Sequence, residues 1–347
     1  MPAQSAAGAM GIRQHPRLGT IAAAMMVLGG VALLSARADV NPGDPLKAGR
    51  EAYEASQYPQ AAQLLQQAAT NDPRNAAIQL LLTKTYSEMQ RHDDAINSAE
   101  KAVSLDPQNS VYHEWLGRAY GEKAEHAVML SAMSLARKTR KEFAEAVRLD
   151  SNNFSARQSL IEFDCAAPPI VGGGEDKARP EIAKLAELDA AEGHYAAGNC
   201  RKQKKDFAAA DAEFTKALDS HPQSAALVYD IGDYAVKHDQ PDRLLKVANL
   251  GEQLAPNDVR AQFYRGVAYI VRNEHVDDAE RFLREYIERA PTRSSFPRLW
   301  DAHNWLGHLL ENEGKTQDAV KEYQAALKLD PKNHVSRESL KRLHKAM

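Results

Sequence analysis

Apolar side chains recur along most of this chain at intervals of three and four residues, in runs separated by short polar stretches. Near the C-terminus, Ala319, Tyr323 and Ala326 hold the i, i+4, i+7 spacing that places them on one face of a helix. Four such runs stop at the same punctuation, "NDPRN" at Pro73, "SLDPQN" at Pro107, "QLAPND" at Pro256 and "KLDPKN" at Pro331. Proline lacks the backbone N–H that would continue a helix, so each of these points ends one. Pro73 and Pro107 lie 34 residues apart. Two amphipathic helices per period of that size predict a helical solenoid, in which no unit buries its apolar face alone.

The period can be written residue by residue. The unit that starts at Ala76 carries Leu82, Tyr86, Ala95, Ala102 and Pro107 at its positions 7, 11, 20, 27 and 32. The unit from Trp300 carries Leu306-Gly307, Gly314, Ala319, Tyr323, Ala326 and Pro331 in the same frame. Small residues at positions 8, 20 and 27 let helices approach, and large ones at 7, 11 and 24 fill the space between them. This pattern resembles the tetratricopeptide repeat family. The resemblance implies an all-α, right-handed α-solenoid of about eight helix-turn-helix repeats, closed by a capping helix over about 333–347.

Two repeats, three and four, at about 110–190, are irregular. Repeat three reads "EWLGRAY" and then "FAEAVRLD", with about ten residues too many between its helices. In repeat four the turn is replaced by a segment over 165–185 that contains Pro168-Pro169-Ile170-Val171-Gly172-Gly173-Gly174, which cannot continue a helix. It resembles "IVGGG-x-DKA" stretches of bacterial tetratricopeptide proteins.

Residues 1–38 do not follow the frame. Arg13 and Arg17 precede an uncharged stretch over 18–34, and Ala36-Arg37-Ala38 forms an A-x-A cleavage site. They read as a secretory signal cut after Ala38, which leaves 39–347 as the solenoid domain in the periplasm or another exported location. Retention as an N-terminal membrane anchor is the alternative; after cleavage no transmembrane segment is expected. The 17 residues of the apolar stretch are few for a membrane span. Cleavage removes three arginines and no acid, moving the net charge from −3 to −6. A mildly acidic chain disfavours nucleic acid as a partner, because phosphate contacts need clustered Lys and Arg.

Cys165 and Cys200 lie 35 residues apart, about one repeat. Packed helix axes are about 8–10 Å apart, whereas a disulfide needs its Cα atoms within about 6.8 Å. A bridge therefore requires both side chains to point inward; two buried thiols or a reactive pair are the alternatives. No catalytic constellation is visible. His113-Glu114 is not continued to H-E-x-x-H, and no G-x-S-x-G occurs. No metal or cofactor is expected. The three glycines 172–174 lack the G-K-[ST] of a phosphate loop, and Glu175 and Asp176 suit the positive start of a helix instead.

Three surfaces remain as candidates for binding. In the family, positions 2, 5, 9, 12 and 13 of each first helix line a concave groove. In repeats one to three, position 9 holds Arg50, Lys84 and Arg118, a basic ladder whose i+4 neighbours Glu54, Glu88 and Glu122 point to a structural, charge-laced stripe. In repeats five to seven, position 5 holds Tyr195, Tyr229 and Phe263, with Asn199 and Asp233 at position 9 of the first two. Aromatic residues at that spacing either anchor a partner or pad the seams between helices. The third surface is the edge made by the two irregular repeats. One insertion, over 126–143, has Val128, Met129, Met133 and Leu135 on its apolar side and a basic run with Arg137, Lys138, Arg140 and Lys141. The other would pack against it through Ile170 and Val171.

The resemblance thus implies a non-enzymatic protein–protein interaction scaffold or adaptor in a bacterial cell envelope. It would hold a protein or peptide partner in the groove or on the edge of repeats three and four. A periplasmic receptor for a peptide or small ligand, and an accessory subunit of an envelope enzyme complex, are the alternatives.

Overall fold

The computed structural model describes residues 44–346, so the signal read over 1–38 lies outside the described residues. These contain seventeen α-helices, one 3-10 turn and no strand. Sixteen helices form eight successive pairs. The first four are α1 (Pro45–Glu54) with α2 (Tyr58–Asn71), α3 (Ala76–Glu88) with α4 (His92–Leu105), α5 (Ser110–His126) with α6 (Met129–Leu149), and α7 (Phe154–Ala166) with α8 (Glu175–Leu188). The second four are α9 (Ala190–Gln203) with α10 (Phe207–Asp219), α11 (Ala225–Lys237) with α12 (Pro241–Leu254), α13 (Arg260–Arg272) with α14 (Val276–Arg289), and α15 (Leu299–Asn312) with α16 (Thr316–Leu329). The last helix, α17 (His334–Ala346), contributes the buried Leu343 to the core and closes the array.

The recurring proline punctuation has a local cause. Asn75, two residues after Pro73, caps α3 by accepting from the amides of Ala77 (3.1 Å) and Ile78 (3.4 Å), and its own Nδ2 donates to Asp72 (3.0 Å). Asn109 repeats this arrangement at α5, accepting from Val111 N at 3.1 Å and donating to Asp106 at 3.3 Å. Asn333 caps α17, accepting from Ser336 N at 2.9 Å. Each cap satisfies orphan donors at a helix start and is worth about 1 kcal/mol.

The small residue at position 8 is equally specific. A Cβ on Gly198 would lie 2.6 Å from the Phe214 ring, and one on Gly307 would lie 2.8 Å from the Tyr323 ring. Each glycine lets the large residue of the following helix sit against the first helix's backbone, the close approach that the pairing requires.

The chain divides into two compact units. One comprises the described residues up to Glu142 together with Ala166–Gly172; the other comprises Phe143–Cys165 and the residues from Gly173 on. In the first unit Leu65, Ile78, Leu82, Tyr86, Leu116 and Tyr120 build the core. In the second a long cluster runs from Tyr195 to Leu343, with a smaller one around Ile161, Leu185 and Cys200.

The extra residues of repeat three do not form a separate element. They lengthen both of its helices, α5 to 17 residues and α6 to 21, against 13 and 14 in α3 and α4. Only Ala127 and Val128 stand between them. In repeat four, the Pro-Pro step leads into a 3-10 turn, Pro169–Val171, closed by Gly172 at φ 101°. Gly174, at φ 145°, then starts α8 and donates its N–H to Asp164 O at 2.8 Å. Few residues other than glycine tolerate such a backbone. Glu175 and Asp176 occupy the first turn of α8, where the helix dipole favours them. Cys165 of α7 and Cys200 of α9 form a disulfide, with their Cα atoms 5.4 Å apart.

Candidate functional site

In the second unit the first helices of successive repeats touch one another along one row, and that row is rich in carboxylates. Asn199 Nδ2 donates to Glu162 at 3.4 Å, Tyr195 Oη donates to Asp230 at 2.9 Å, and Tyr264 Oη donates to Asp233 at 2.8 Å. Gln158 donates to Glu192 on the same row. Glu162 and Asp230 are exposed, Asp233 is half-buried and Glu192 is buried. The Glu192 carboxyl is pushed up to about 7, by burial first and then by the charges of Asp189 and Asp230. Further along, half-buried Asp301 is pushed up to about 6 by burial and by Asp233, with Lys237 acting in the opposite direction. Two carboxyls in one unit thus meet more desolvation and like charge than cationic relief.

The three aromatics at position 5 are placed differently from a partner-facing stripe. Tyr229 and Phe263 are 1% exposed and Tyr195 is 7% exposed. The Tyr229 ring stacks on Tyr264 at 5.6 Å and carries the Arg260 guanidinium at 4.2 Å, while Phe263 packs on Tyr286 at 5.1 Å. These rings fill the seams between helices, so their contribution is apolar burial and no ring face is left for a partner. Asn199 is buried as well; Asp233 is the member of that set with partial access. The exposed carboxylates beside them, Glu162 and Asp230, were not singled out from the sequence. They adjoin buried polar positions of the next repeat, a relation that only packing reveals.

The basic ladder of the first unit is organised around a residue that periodicity did not single out. Lys84 Nζ lies 4.9 Å and the Arg118 guanidinium 5.5 Å from the centre of the Trp115 ring. Arg118 pairs with Glu114, one turn before it, at 2.9 Å, and its charge also acts on Glu122 one turn after. Burial lowers the Lys84 pKa, with Glu114 pulling it back up. Lys84 and Arg118 therefore serve the packing of Trp115; Arg50 is exposed on α1.

On the edge of repeats three and four, Arg137 donates from Nη2 to Ile170 O at 3.2 Å, and Lys138 Nζ lies 4.8 Å over the Tyr120 ring. Arg140 runs beside Gly172, where an added Cβ would meet its Cδ at 3.2 Å. Lys141 is exposed. Val171 is buried, but Ile170 is 65% exposed, so the loop docks through one of its two β-branched residues and not both. Val128 and Met129, expected on the packed side, instead face solvent, because they precede or begin the lengthened α6.

Among the described residues, no group of three His, Cys, Asp or Glu side chains is disposed to hold a metal, and no helix is long and apolar enough to cross a membrane.

Three tetratricopeptide-repeat family profiles match residues 52–120, 191–224 and 300–333. The chain carries tetratricopeptide repeats. The last two matches start where the frame read from Trp300 and from Tyr195 at position 5 places the first residue of a repeat. Among solved structures, it is similar to MamA, with 22% identity over 50% of this chain and 93% of that one, at a TM-score of 0.39. A tetratricopeptide repeat protein from Parabacteroides merdae matches 86% of this chain and 97% of its own at 12% identity and a TM-score of 0.40. The Cut9-Hcn1 hetero-tetramer of the APC/C matches 86% of this chain at 14% identity and a TM-score of 0.48; the chain spans 55% of that relative's length. Among curated proteins none matches. Tetratricopeptide arrays are typically non-enzymatic protein–protein interaction scaffolds, and in their frame Glu192 takes position 2, Asn199 and Asp233 position 9, and Asp301 position 2.

Proposed function

We propose that this protein is an adaptor of a bacterial cell envelope, which holds a protein partner by a cationic segment laid along the first-helix row of the second unit. The observation that carries the reading is Glu192. A buried carboxyl held near 7, with Asp189 and Asp230 as its charged neighbours, gains from an arriving guanidinium or ammonium what its own repeat does not provide. Glu162 and Asp230, exposed on the same row, extend the acidic surface over the lengths of α7, α9 and α11. The Cys165–Cys200 bridge supports an oxidising compartment, as does the signal-like pattern of residues 1–38.

The test is fluorescence anisotropy with Arg/Lys-rich and Asp/Glu-rich peptides at pH 6 and pH 8. The cationic peptide binds, and binds up to about tenfold tighter at pH 8, because a group titrating near 7 goes from about one-tenth to nine-tenths ionised over that range. Glu192→Gln removes the pH dependence, and with Asp230→Asn weakens binding about tenfold. Equal binding of both peptides, or none, contradicts the reading. Recovery of the chain from the periplasmic fraction with Asp39 at its N-terminus checks the compartment.

A further inference from the structure

The four most exposed large apolar side chains among the described residues belong to one edge. Leu130 is 82% exposed, Val128 76%, Met129 75% and Ile170 65%; the other five lie between 40% and 51% and are scattered. Isolated exposed apolar residues are ordinary, but three in succession at the start of a helix are not. Successive residues of a helix point about 100° apart. Met129 and Leu130 therefore point in different directions at the start of α6, and with Val128 just before it they form a tip, not a stripe that a groove or a partner helix could cover. Behind the tip the same helix carries Arg137, Lys138 and Lys141, all exposed.

We propose that this tip inserts into the interfacial layer of an anionic lipid bilayer, with Arg137, Lys138 and Lys141 on the headgroups. A fluid hydrocarbon phase accepts a splayed apolar tip from every side. At a rise of about 1.5 Å per residue, Arg137 lies roughly 12 Å behind Met129 along α6; exchanging its bond to Ile170 O for a phosphate oxygen, its long side chain reaches the phosphate layer when it extends toward the tip. Of the acids near this edge, Glu142 of α6 pairs with His113, Glu100 accepts from the Tyr120 hydroxyl beneath Lys138, Asp93 pairs with Lys123, and Glu125 is half-buried. A second copy of this chain fits less well. The other exposed apolar residues are single, so two tips would have to meet, and their basic runs would then repel.

The chain from Asp39, which contains every described helix and lacks the apolar 18–34 stretch, is sedimented with vesicles of phosphatidylcholine alone or with about one-third phosphatidylglycerol. It partitions onto the anionic vesicles at least about tenfold better than onto the neutral ones, and added salt weakens this binding. The V128S/M129S/L130S variant, folded by circular dichroism, loses at least about tenfold of the binding, and K138Q/K141Q loses most of the salt dependence. The proposal is overturned if the folded parent stays in solution with both vesicles, or if the triple variant binds as the parent does. It is also overturned if the triple variant's one defect is lost self-association in sedimentation velocity, which would assign the tip to a second copy.

Discussion

Repeat six and repeat three are built on the same frame, yet they put their apolar residues in opposite places. In repeat six, α11 and α12 have 13 and 14 residues, and Leu227, Val228, Tyr229, Ile231, Leu244 and Val247 are all buried. In repeat three, α6 is seven residues longer than α12, which adds about two turns, and the added start carries the most exposed apolar side chains of the described chain. A period of 34 is thus a condition for burial as much as a description of spacing. Where helix lengths match those of their neighbours, each apolar face is covered by the next repeat; where they outrun it, the surplus is left on the surface.

Mutations can break this comparison in order of their expected effect. The largest belongs to the regular repeats: Tyr229→Ala and Phe263→Ala each remove a ring that is 1% exposed, and each costs about 3–5 kcal/mol in thermal or denaturant unfolding. A cost below about 1 kcal/mol would mean that these rings face outward after all. Next comes the irregular repeat four, whose first helix is tied to that of repeat five. Cys165→Ser with Cys200→Ser lowers stability by about 2–4 kcal/mol, and the same loss follows reduction of the parent with dithiothreitol.

A smaller, pH-dependent effect belongs to the acidic row. The Glu192 carboxyl titrates near 7 in the folded chain against an ordinary 4.5, so between these values the folded chain binds more protons than the unfolded one, and stability falls as pH rises. Glu192→Gln removes that loss. The variant matches the parent near pH 4 and exceeds it at pH 8 by on the order of 1–3 kcal/mol, read from denaturant midpoints at the two pH values. An unchanged difference across the range contradicts the assignment.

The architecture was legible in the sequence because its determinants are local. The D-P-x-N steps at Pro73, Pro107 and Pro331 end one helix and cap the next within four residues, and the glycine and alanine positions report close approach directly. The site was less legible, because the same period suits a seam and a groove alike. Tyr195, Tyr229 and Phe263 repeat at 34 residues whether they pad helices or meet a partner; what decides is the packing, Tyr264 and Arg260 of the next repeat on Tyr229 and Tyr286 of the paired helix on Phe263. The role of Trp115 was hidden for a related reason: besides Arg118 of its own helix, its ring meets Lys84 of the preceding repeat, a contact that only packing reveals. The surplus residues of repeat three could be counted from the sequence, but their sharing between α5 and α6, which turns Val128 and Met129 outward, depends on where the turn settles.

The claim that the regular repeats build the molecule while the lengthened repeat docks it is tested most directly on one preparation of V128S/M129S/L130S, melted and then mixed with anionic vesicles. Side chains that are 75–82% exposed contribute little to folding, so the melt moves by no more than about 0.5 kcal/mol while vesicle binding is lost. A fall in stability comparable to that of Tyr229→Ala, with vesicle binding kept, would contradict it.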